Sequence, residues 1–468
     1  MKKIWAFVLC AALLAGLTAC GGAKSDSVKS DGVCVSPARA GELATVSDEA
    51  YFENFTPVLR FAVASDVHVA DISSPQEEQR LKELFEVSYA YADNYDGYTG
   101  LDGIFFAGDV TDRGTSYSLQ KFFAIVRANA REDTVIRASM GNHEFYDNAE
   151  LIEYRFLKAS GYETIDTHLE LGGYHFIFIS PDGNGKAYSK EKQDFLAAAL
   201  EEAAKADPTG CKPIFVFQHQ PNSNTVYGST TSWGVGELAP IIEKYPQVVD
   251  FAGHSHFPMN DPRSIWQGAY TALNTGTLSY YEMDLAGSKG DYVFPTDQEG
   301  GWAEKATKIR DAGQFYIVEL DANHAMRVLG YDLLSDGWMM EPLTIRCVDD
   351  TACFAYTNAR ADVSEAPAFA ADATVTLESR EDGQVTFRFS QADGVDPVQN
   401  YACRLYNGEE RVGTNYRLSD ICFLPTPETL TVPFALTLKS GTQYRLEITP
   451  VNVWGVQGEP LVYTFVAE

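Results

Sequence analysis

The sequence lacks the features of several common protein classes. Lysine and arginine total only 36 against 65 aspartates and glutamates, which gives a formal net charge of −29. Such a surface repels phosphate backbones, so we expect no nucleic-acid groove, and an anionic substrate would need a local positive site. No two cysteines have C-x-x-C spacing, which argues against a thiolate metal site. Beyond the N-terminus, no apolar run is long enough to cross a bilayer.

The N-terminus has the pattern of an export signal. Two lysines precede an apolar stretch from Ile4 to Leu17, and residues 17–20 read Leu-Thr-Ala-Cys. These four residues resemble a bacterial lipobox, whose cysteine is acylated and becomes the new N-terminus. Residues 1–20 are therefore predicted to be a lipoprotein signal peptide, with Cys20 anchoring an exported protein on the extracytoplasmic side of a membrane. A plain signal peptide with a chance cysteine and an uncleaved anchor are the alternatives.

The remaining cysteines and the segment after the signal carry weaker indications. Residues 21–50 are rich in small and polar residues and are predicted to form a flexible tether. Disulfides are permitted outside the cytoplasm. Proximity in the sequence favours pairing Cys347 with Cys353 and Cys403 with Cys422, and leaves the connectivity open.

The first large part of the chain alternates short apolar strands with amphipathic helices. The predicted strands are Leu59–Ala64, Ile104–Ala107, Val135–Ala138, Tyr174–Ile179, Ile214–Gln218 and Val248–Ala252. The predicted helices are Pro75–Tyr91, Tyr117–Ala130, Ala149–Ala159, Lys190–Ala204 and a segment near Glu237–Lys244. This alternation predicts an α/β domain over residues 51–345, with helices over a largely parallel or mixed sheet.

The pattern changes after about Tyr331. The predicted strands are then Val375–Leu377, Val385–Phe389, Tyr401–Tyr406, Thr431–Leu438, Tyr444–Val451 and Leu461–Val466. Strands at this spacing predict an all-β sandwich over residues 370–468. The stretch 441–448 resembles the late strands of a fibronectin type III domain, with Tyr444 at the corner that leads into a core strand. Phe387 stands where that family often has tryptophan, so other immunoglobulin-like sandwiches remain open.

Five short motifs each follow the end of a predicted strand. They are Asp66-Val67-His68, Gly108-Asp109-Val110-Thr111-Asp112-Arg113, Gly141-Asn142-His143-Glu144, the single His219, and Gly253-His254-Ser255-His256. The carboxyl ends of strands in open α/β sheets are where ligands bind. Carboxylate, amide and imidazole groups suit borderline divalent metals such as Mn, Fe, Zn or Ni.

Other polar residues receive structural assignments. We expect Asp112 and Glu144 to cap a helix or orient a neighbouring histidine. The three histidines outside the motifs, His168, His175 and His324, are expected to be structural or at the surface.

Together the motifs D-x-H, G-D-x-x-D, G-N-H-E, H and G-H-x-H resemble the calcineurin-like metallophosphoesterase family, over roughly residues 59–331. The resemblance implies a β-sheet sandwich flanked by helices and a site with two divalent metal ions. The ligands it implies are Asp66, His68 and His256 for the first ion, Asn142, His219 and His254 for the second, and Asp109 for both. It also implies that a metal-bridging hydroxide hydrolyses a phosphoester bond while His143 protonates the leaving oxygen.

The substrate is expected to be a small phosphomonoester or phosphodiester. The second motif lacks the tyrosine that purple acid phosphatases place after the aspartate, and it resembles the cyclic-nucleotide phosphodiesterase branch. Arg113 resembles the phosphate-contacting arginine of phosphoprotein phosphatases, but a surface arginine at a helix start explains it equally well. Loops 222–234 and 276–302 would form a pocket rim in which Tyr227, Trp233, Tyr280 or Tyr281 stacks a base, or they are ordinary loops.

Two non-catalytic functions compete with hydrolysis. One is a surface-binding protein that uses the phosphoesterase fold as a scaffold, and the other is a lipoprotein that stores or delivers metal. The C-terminal sandwich has no cluster of metal-ligating residues and is expected to act as a spacer or packing domain.

Overall fold

The computed structural model of the chain describes residues 47–95, 97–229, 233–284, 292–293, 311–381 and 383–467. The predicted signal peptide, Cys20 and most of the predicted tether lie outside the described residues. Residues 48–50, placed at the end of that tether, lie in the first described helix. Within the described part of the chain, no helix combines the length and apolar character needed to span a bilayer.

Strands and α-helices largely alternate up to Ala252, and strands follow from there to Ile345. The helices are α1 (Asp48–Glu53), α2 (Pro75–Asp93), α3 (Ser116–Asn129), α4 (Ile152–Ser160), α5 (Lys190–Ala206) and α6 (Ala239–Ile242). The strands are β1 (Pro57–Ala64), β2 (Gly103–Ala107), β3 (Val135–Ser139), β4 (Thr167–Leu171), β5 (Tyr174–Phe178), β6 (Ile214–Gln218), β7 (Val248–Ala252), β8 (Ile265–Gln267), β9 (Thr271–Asn274), β10 (Met283–Asp284), β11 (Tyr292–Val293), β12 (Gln314–Asp321), β13 (Met326–Asp332), β14 (Gly337–Trp338) and β15 (Leu343–Ile345).

Two mixed sheets form the centre of this domain. The first has the order β14-β13-β12-β1-β2-β3, with β15 also pairing with β13, and the second has the order β4-β5-β6-β7-β9-β8. Strands β1, β2 and β3 are parallel, as are β5, β6, β7 and β9. Strand β12 joins β1 antiparallel. A sheet sandwich with helices on its outer faces, as predicted, is therefore confirmed.

An aromatic core holds the two sheets face to face. Phe61 of β1 contacts Phe176 and Phe215 of the second sheet, with ring centroids 5.3 and 4.9 Å apart. Helices α2, α3 and α4 cover the outer face of the first sheet, and α5 and α6 cover the second. Central strands are buried on both faces, which is why they read as continuous apolar runs in the sequence.

A seven-stranded antiparallel sandwich follows. Its strands are β16 (Val375–Glu381), β17 (Gln384–Ser390), β18 (Val398–Asn407), β19 (Glu410–Leu418), β20 (Thr429–Phe434), β21 (Gln443–Asn452) and β22 (Leu461–Val466). The sheets β16-β17-β20 and β19-β18-β21-β22 enclose one apolar core. The Tyr444 hydroxyl accepts a hydrogen bond from the Lys439 backbone N–H at 3.1 Å, the contact made by a tyrosine corner. The all-β part of the fold prediction is confirmed.

The two suggested disulfides are wrong. Cys403 and Cys422 both carry free thiols, and Cys353 does too, so Cys353 does not pair with Cys347. Cys403 is buried in the sandwich core, whereas Cys422 is buried in a separate cluster between the sandwich and the α/β domain. Proximity in the sequence therefore gave no guide to proximity of the sulfur atoms.

A buried ion network crosses the first sheet and generates a stability prediction. Glu319 accepts hydrogen bonds from Arg60 Nε at 2.7 Å and Arg327 Nε at 2.9 Å, and the Arg60 and Glu319 side chains are fully buried. Glu319→Ala should lower the free energy of unfolding by about 3–5 kcal/mol, because it leaves a buried guanidinium unpaired. Urea denaturation followed by circular dichroism measures this.

The exposed ion pair between Arg131 and Asp93 provides the matched control. Asp93→Asn should leave the urea midpoint unchanged, since solvent and salt screen exposed pairs. Equal losses in the two variants would contradict a structural role for the buried network.

Candidate metal centre

The predicted ligands lie where the carboxyl ends of both sheets meet. Asp66, Asp109 and Asn142 follow strands β1, β2 and β3 of the first sheet, and His219 and His254 follow β6 and β7 of the second. The face-to-face packing of the sheets therefore brings five separate loops to one place.

The backbone at five of these residues is left-handed. The φ angles are 53° at Asp66, 53° at His68, 49° at Asp109, 68° at His254 and 55° at His256. Residues with a Cβ seldom adopt this conformation, which costs on the order of 1–3 kcal/mol at each position. Such strain persists only where the surrounding structure enforces it, and it concentrates at functional sites.

A first cluster consists of Asp66, His68 and His256. The Asp66 Oδ1 atom lies 3.0 Å from His256 Nε2 and 3.8 Å from His68 Nε2, and the two Nε2 atoms are 3.2 Å apart. All three side chains are buried. Their donor atoms therefore converge on one point.

A second cluster consists of Asp109, Asn142, His219 and His254. His219 Nε2 lies 3.0 Å from both Asp109 Oδ2 and Asn142 Oδ1. Asp109, His219 and His254 offer ligand atoms that all lie within 4.8 Å of one another. The clusters adjoin, because the His254 backbone N–H donates to Asp66 Oδ2 at 3.0 Å.

Backbone carbonyls fix the orientation of two imidazoles. His256 Nδ1 donates to the Tyr280 carbonyl oxygen at 2.9 Å, and His219 Nδ1 donates to the Ala107 carbonyl oxygen at 2.9 Å. Each bond requires a proton on Nδ1 and leaves Nε2 facing its cluster. This is the usual arrangement for a metal-ligating histidine.

The charges of the clusters are strongly coupled. Burial raises the pKa of the Asp66 and Asp109 carboxyls, but His256 and His219 outweigh it and hold both values below the ordinary range. Burial lowers the pKa of His219, yet the Asp109 carboxylate raises it to about 9. Burial and the His219 charge lower the pKa of His254 to about 3, so its imidazole is neutral. The site therefore holds two buried anionic carboxylates that need nearby positive charge.

The residues fit a divalent metal ion. Asp66 Oδ1 is fully buried and faces the imidazole nitrogens of its own cluster, and His68 Nδ1 is buried without a hydrogen-bond partner, which is costly. The donor set of carboxylate, amide and imidazole groups is the one that borderline divalent metals prefer. Two adjoining clusters support divalent metal use, as the sequence predicts.

His143 lies beside both clusters and remains accessible. Its ring contacts the His68 ring with centroids 4.4 Å apart, and its Nε2 is 3.9 Å from Asp109 Oδ2. Its Nδ1 donates to the Asp112 carbonyl oxygen at 2.9 Å. Burial lowers the pKa of His143, but Asp112 and Asp109 outweigh this and raise it to about 9.

Glu144 ties two of the motif loops together. Its buried carboxylate accepts hydrogen bonds from the Thr111 backbone N–H at 2.8 Å and from the Gly141 backbone N–H at 2.7 Å. Burial and the charge of Asp109 raise the pKa of Glu144 to about 7. The residue orients the loops that carry Asp109 and Asn142.

The residues suggested for substrate binding differ in their exposure. Arg113, the last residue of the second motif, is exposed and lies beside Asp112, and its contact with a substrate stays a prediction. Tyr227 and Tyr281 cannot stack a substrate base, because they are only 7% and 1% exposed. Trp233, together with Asn142 and His254 of the second cluster, lines a cavity of about 340 Å³. Part of the 276–302 loop lies outside the described residues.

Three further residues contribute to the site and were not predicted from the sequence. The Tyr146 hydroxyl accepts a hydrogen bond from Asn142 Nδ2 at 2.7 Å. Ser65 hydrogen-bonds Asp66 through its hydroxyl, and Lys186 lines the cavity. Tyr146 and Ser65 lie next to the motifs in sequence, which is a usable signal, whereas nothing in the sequence around Lys186 indicates its position.

Substitution of Gly253, in the fifth motif, tests the position of the Asp66 carboxylate. A Cβ at Gly253 would lie 2.4 Å from Asp66 Oδ2, so the carboxylate would have to move. Gly253→Ala should therefore bind Mn²⁺ about tenfold or more weakly, as measured by equilibrium dialysis and elemental analysis. Gly236→Ala is the control, because a Cβ there has no heavy atom within 4 Å. Unchanged affinity in Gly253→Ala would contradict the placement.

The candidate site lies in a stretch of the chain that matches a known family model. Residues 59–258 match the family model for calcineurin-like phosphoesterases. No curated protein matches the chain. Among similar solved structures, GAP50, the anchor in the inner membrane complex of Plasmodium, is 14% identical with a TM-score of 0.41 and covers 62% of this chain and 90% of its own.

The purple acid phosphatase PPD1 from yellow lupin seeds is also 14% identical with a TM-score of 0.41, covering 61% of this chain and 53% of its own. Both structures are too distant to inform on activity. The matched family range, by contrast, contains every residue of the two clusters as well as His143. Residues 59–258 are therefore similar to the calcineurin-like phosphoesterase family, and this range includes the whole candidate site.

Proposed function

We propose that the chain hydrolyses phosphoester bonds of small molecules with two divalent metal ions. The observation that carries the proposal is the pair of adjoining buried clusters, with His143 beside both of them. Asp66, His68 and His256 would hold one ion, Asn142, His219 and His254 the other, and Asp109 both. When bound, such ions supply a nucleophile at neutral pH and neutralise charge on a phosphoryl group.

His143 is suited to protonate the leaving oxygen. Its Nδ1 is engaged by Asp112, so Nε2 is the ring atom free to reach a substrate. About 20% of its side chain is exposed, whereas Asp66, Asp109, His219 and His256 are at most 4% exposed. An accessible Nε2 beside both clusters suits proton transfer to a substrate.

The cavity beside the second cluster would take the organic group of the ester. Its lining residues are Asn142, Tyr146, Lys186, Gln220, Trp233, Gly234, Val235 and His254. A volume of about 340 Å³ is typical of small-molecule sites. The lysine adds positive charge in a strongly acidic protein, which favours an anionic substrate.

The proposal also includes export of the protein, the type of its C-terminal sandwich and its substrate class. The charged start, apolar stretch and lipobox support export and anchoring through Cys20. The Tyr444 contact and the seven-stranded order support a fibronectin type III-like sandwich. The second motif supports the cyclic-nucleotide phosphodiesterase branch, so we expect diesters among the substrates.

Hydrolysis of two chromogenic esters tests the proposed activity. The chain lacking residues 1–20, stripped of metal, should not hydrolyse bis-p-nitrophenyl phosphate or p-nitrophenyl phosphate. Adding Mn, Zn or Fe should restore turnover, since the nucleophile depends on the metal. The ratio of diester to monoester turnover then narrows the substrate class. A folded chain that binds two ions and turns over neither ester would favour the scaffold or metal-delivery alternatives.

Two substitutions separate proton transfer from metal binding. His143→Ala should keep both ions and lower kcat by about 100-fold or more, with the greatest loss for poor leaving groups. Asp109→Asn should lose metal as well as turnover, because its carboxylate lies within the second cluster and beside the first. Steady-state kinetics and metal analysis measure both effects.

His168→Ala is the control for the His143 substitution. His168 pairs with His175 on the β4–β5 hairpin at 2.9 Å, outside the site, so its loss should leave turnover unchanged. If His143→Ala emptied the site of metal, its assignment as the acid would be wrong.

A further inference from the structure

An apolar cluster joins the C-terminal sandwich to the α/β domain. Its buried members are Tyr281, Met283 and Ala312 from the α/β domain and Leu418, Ile421, Cys422 and Val453 from the sandwich. Phe423 of the sandwich packs edge-on against Tyr281, with ring centroids 6.0 Å apart. The two domains therefore share a buried apolar contact in addition to their covalent link.

The interdomain cluster is connected to the predicted metal ligand His256 through the backbone of segment 280–282. Tyr281 directly follows Tyr280, whose carbonyl oxygen accepts the His256 Nδ1 hydrogen bond. The Glu282 backbone N–H also donates to the His256 carbonyl oxygen at 3.0 Å. The segment 280–282 thus holds both the ring and the backbone of His256, and the interdomain cluster holds that segment.

A second set of contacts from the sandwich supports Phe257, the residue that follows His256. The buried Gln399 of the sandwich donates to the Tyr227 hydroxyl at 2.7 Å and accepts from Arg263 Nη2 at 2.9 Å. The Tyr227 ring stacks on Phe257, with centroids 3.9 Å apart and planes at 26°. Since Phe257 directly follows His256, the sandwich supports the metal-binding turn from two directions.

The sandwich turn that makes the first contact is itself well fixed. Asp420 has a left-handed φ of 61° and forms a buried ion pair with Arg417 at 2.6 Å. Arg417 Nη1 donates to the Leu418 carbonyl oxygen at 2.8 Å. The Ile421 carbonyl oxygen accepts from Asn260 Nδ2 of the α/β domain at 2.6 Å. A turn locked in this way can hold its neighbours in a defined position.

We propose that the C-terminal sandwich holds the metal site in its binding geometry, with Tyr281 and Phe423 as positioning residues for His256. The inference rests on the proposed function, because it concerns the ligands of the first cluster. Partners that orient a ligand commonly change metal affinity by about 10- to 100-fold. The sandwich then contributes to metal retention and is more than the spacer expected from the sequence.

Mn²⁺ titration of the chain from residue 21 onward tests this role. Tyr281→Ala and Phe423→Ala should each weaken binding of one of the two ions by about tenfold or more. Tyr281→Phe should bind as the unmodified chain does, because the ring stays in the interdomain cluster. Free Mn²⁺ is measured by electron paramagnetic resonance, and circular dichroism checks that each variant is folded.

Phe465→Ala separates positioning from general loss of stability. Phe465 packs in the sandwich core against Phe387 and Tyr444, away from the interdomain cluster. This variant should lower Tm yet keep Mn²⁺ affinity. The proposal is overturned if Phe465→Ala weakens binding as much as Phe423→Ala, or if Tyr281→Ala and Phe423→Ala bind normally. An unmodified chain that binds no Mn²⁺ would overturn the proposed function itself.

Discussion

Two carboxylates, Asp66 and Asp109, are buried at the seam where the carboxyl ends of the two sheets meet. The positions of the imidazoles around them follow from that burial. A buried anion is costly unless it is paired with positive charge. Within the described residues around the clusters, imidazoles are the nearest groups that can supply it. Divalent ions would neutralise the same carboxylates, which is why the site is best understood as a metal centre.

The aromatic core between the sheets determines where that seam lies. Phe61, Phe105 and Phe217 lock the two sheets together directly beneath the site. The strand ends above them can then project ligands from both sheets, although five of those residues must adopt left-handed backbone to do so. Motif glycines allow the close approach, since a Cβ at Gly141 would lie 2.2 Å from Asp109 Oδ1. Stability of the fold and geometry of the site are thus closely linked.

The sequence predicts the buried strands and the polar motifs well, because both are local patterns. Strands β12 and β13 were not predicted, and nothing local indicates that β12 pairs with the distant β1. The carbonyl of Tyr280 orients His256 but has no signature in the sequence. Tyr227 and Tyr281 lie in loops whose composition is typical of a pocket rim, but both side chains are buried and contact the sandwich. Contacts between domains and contacts made by backbone atoms could not be predicted, because no local sequence pattern indicates them.

The central claim is that the chain binds two metal ions at adjoining clusters that share Asp109. Crystals grown with Mn²⁺ and measured at an anomalous wavelength test it directly. The account predicts two strong peaks, one beside Asp66, His68 and His256 and the other beside His219 and His254, with Asp109 contacting both. A single peak, or two peaks without Asp109 between them, would contradict it.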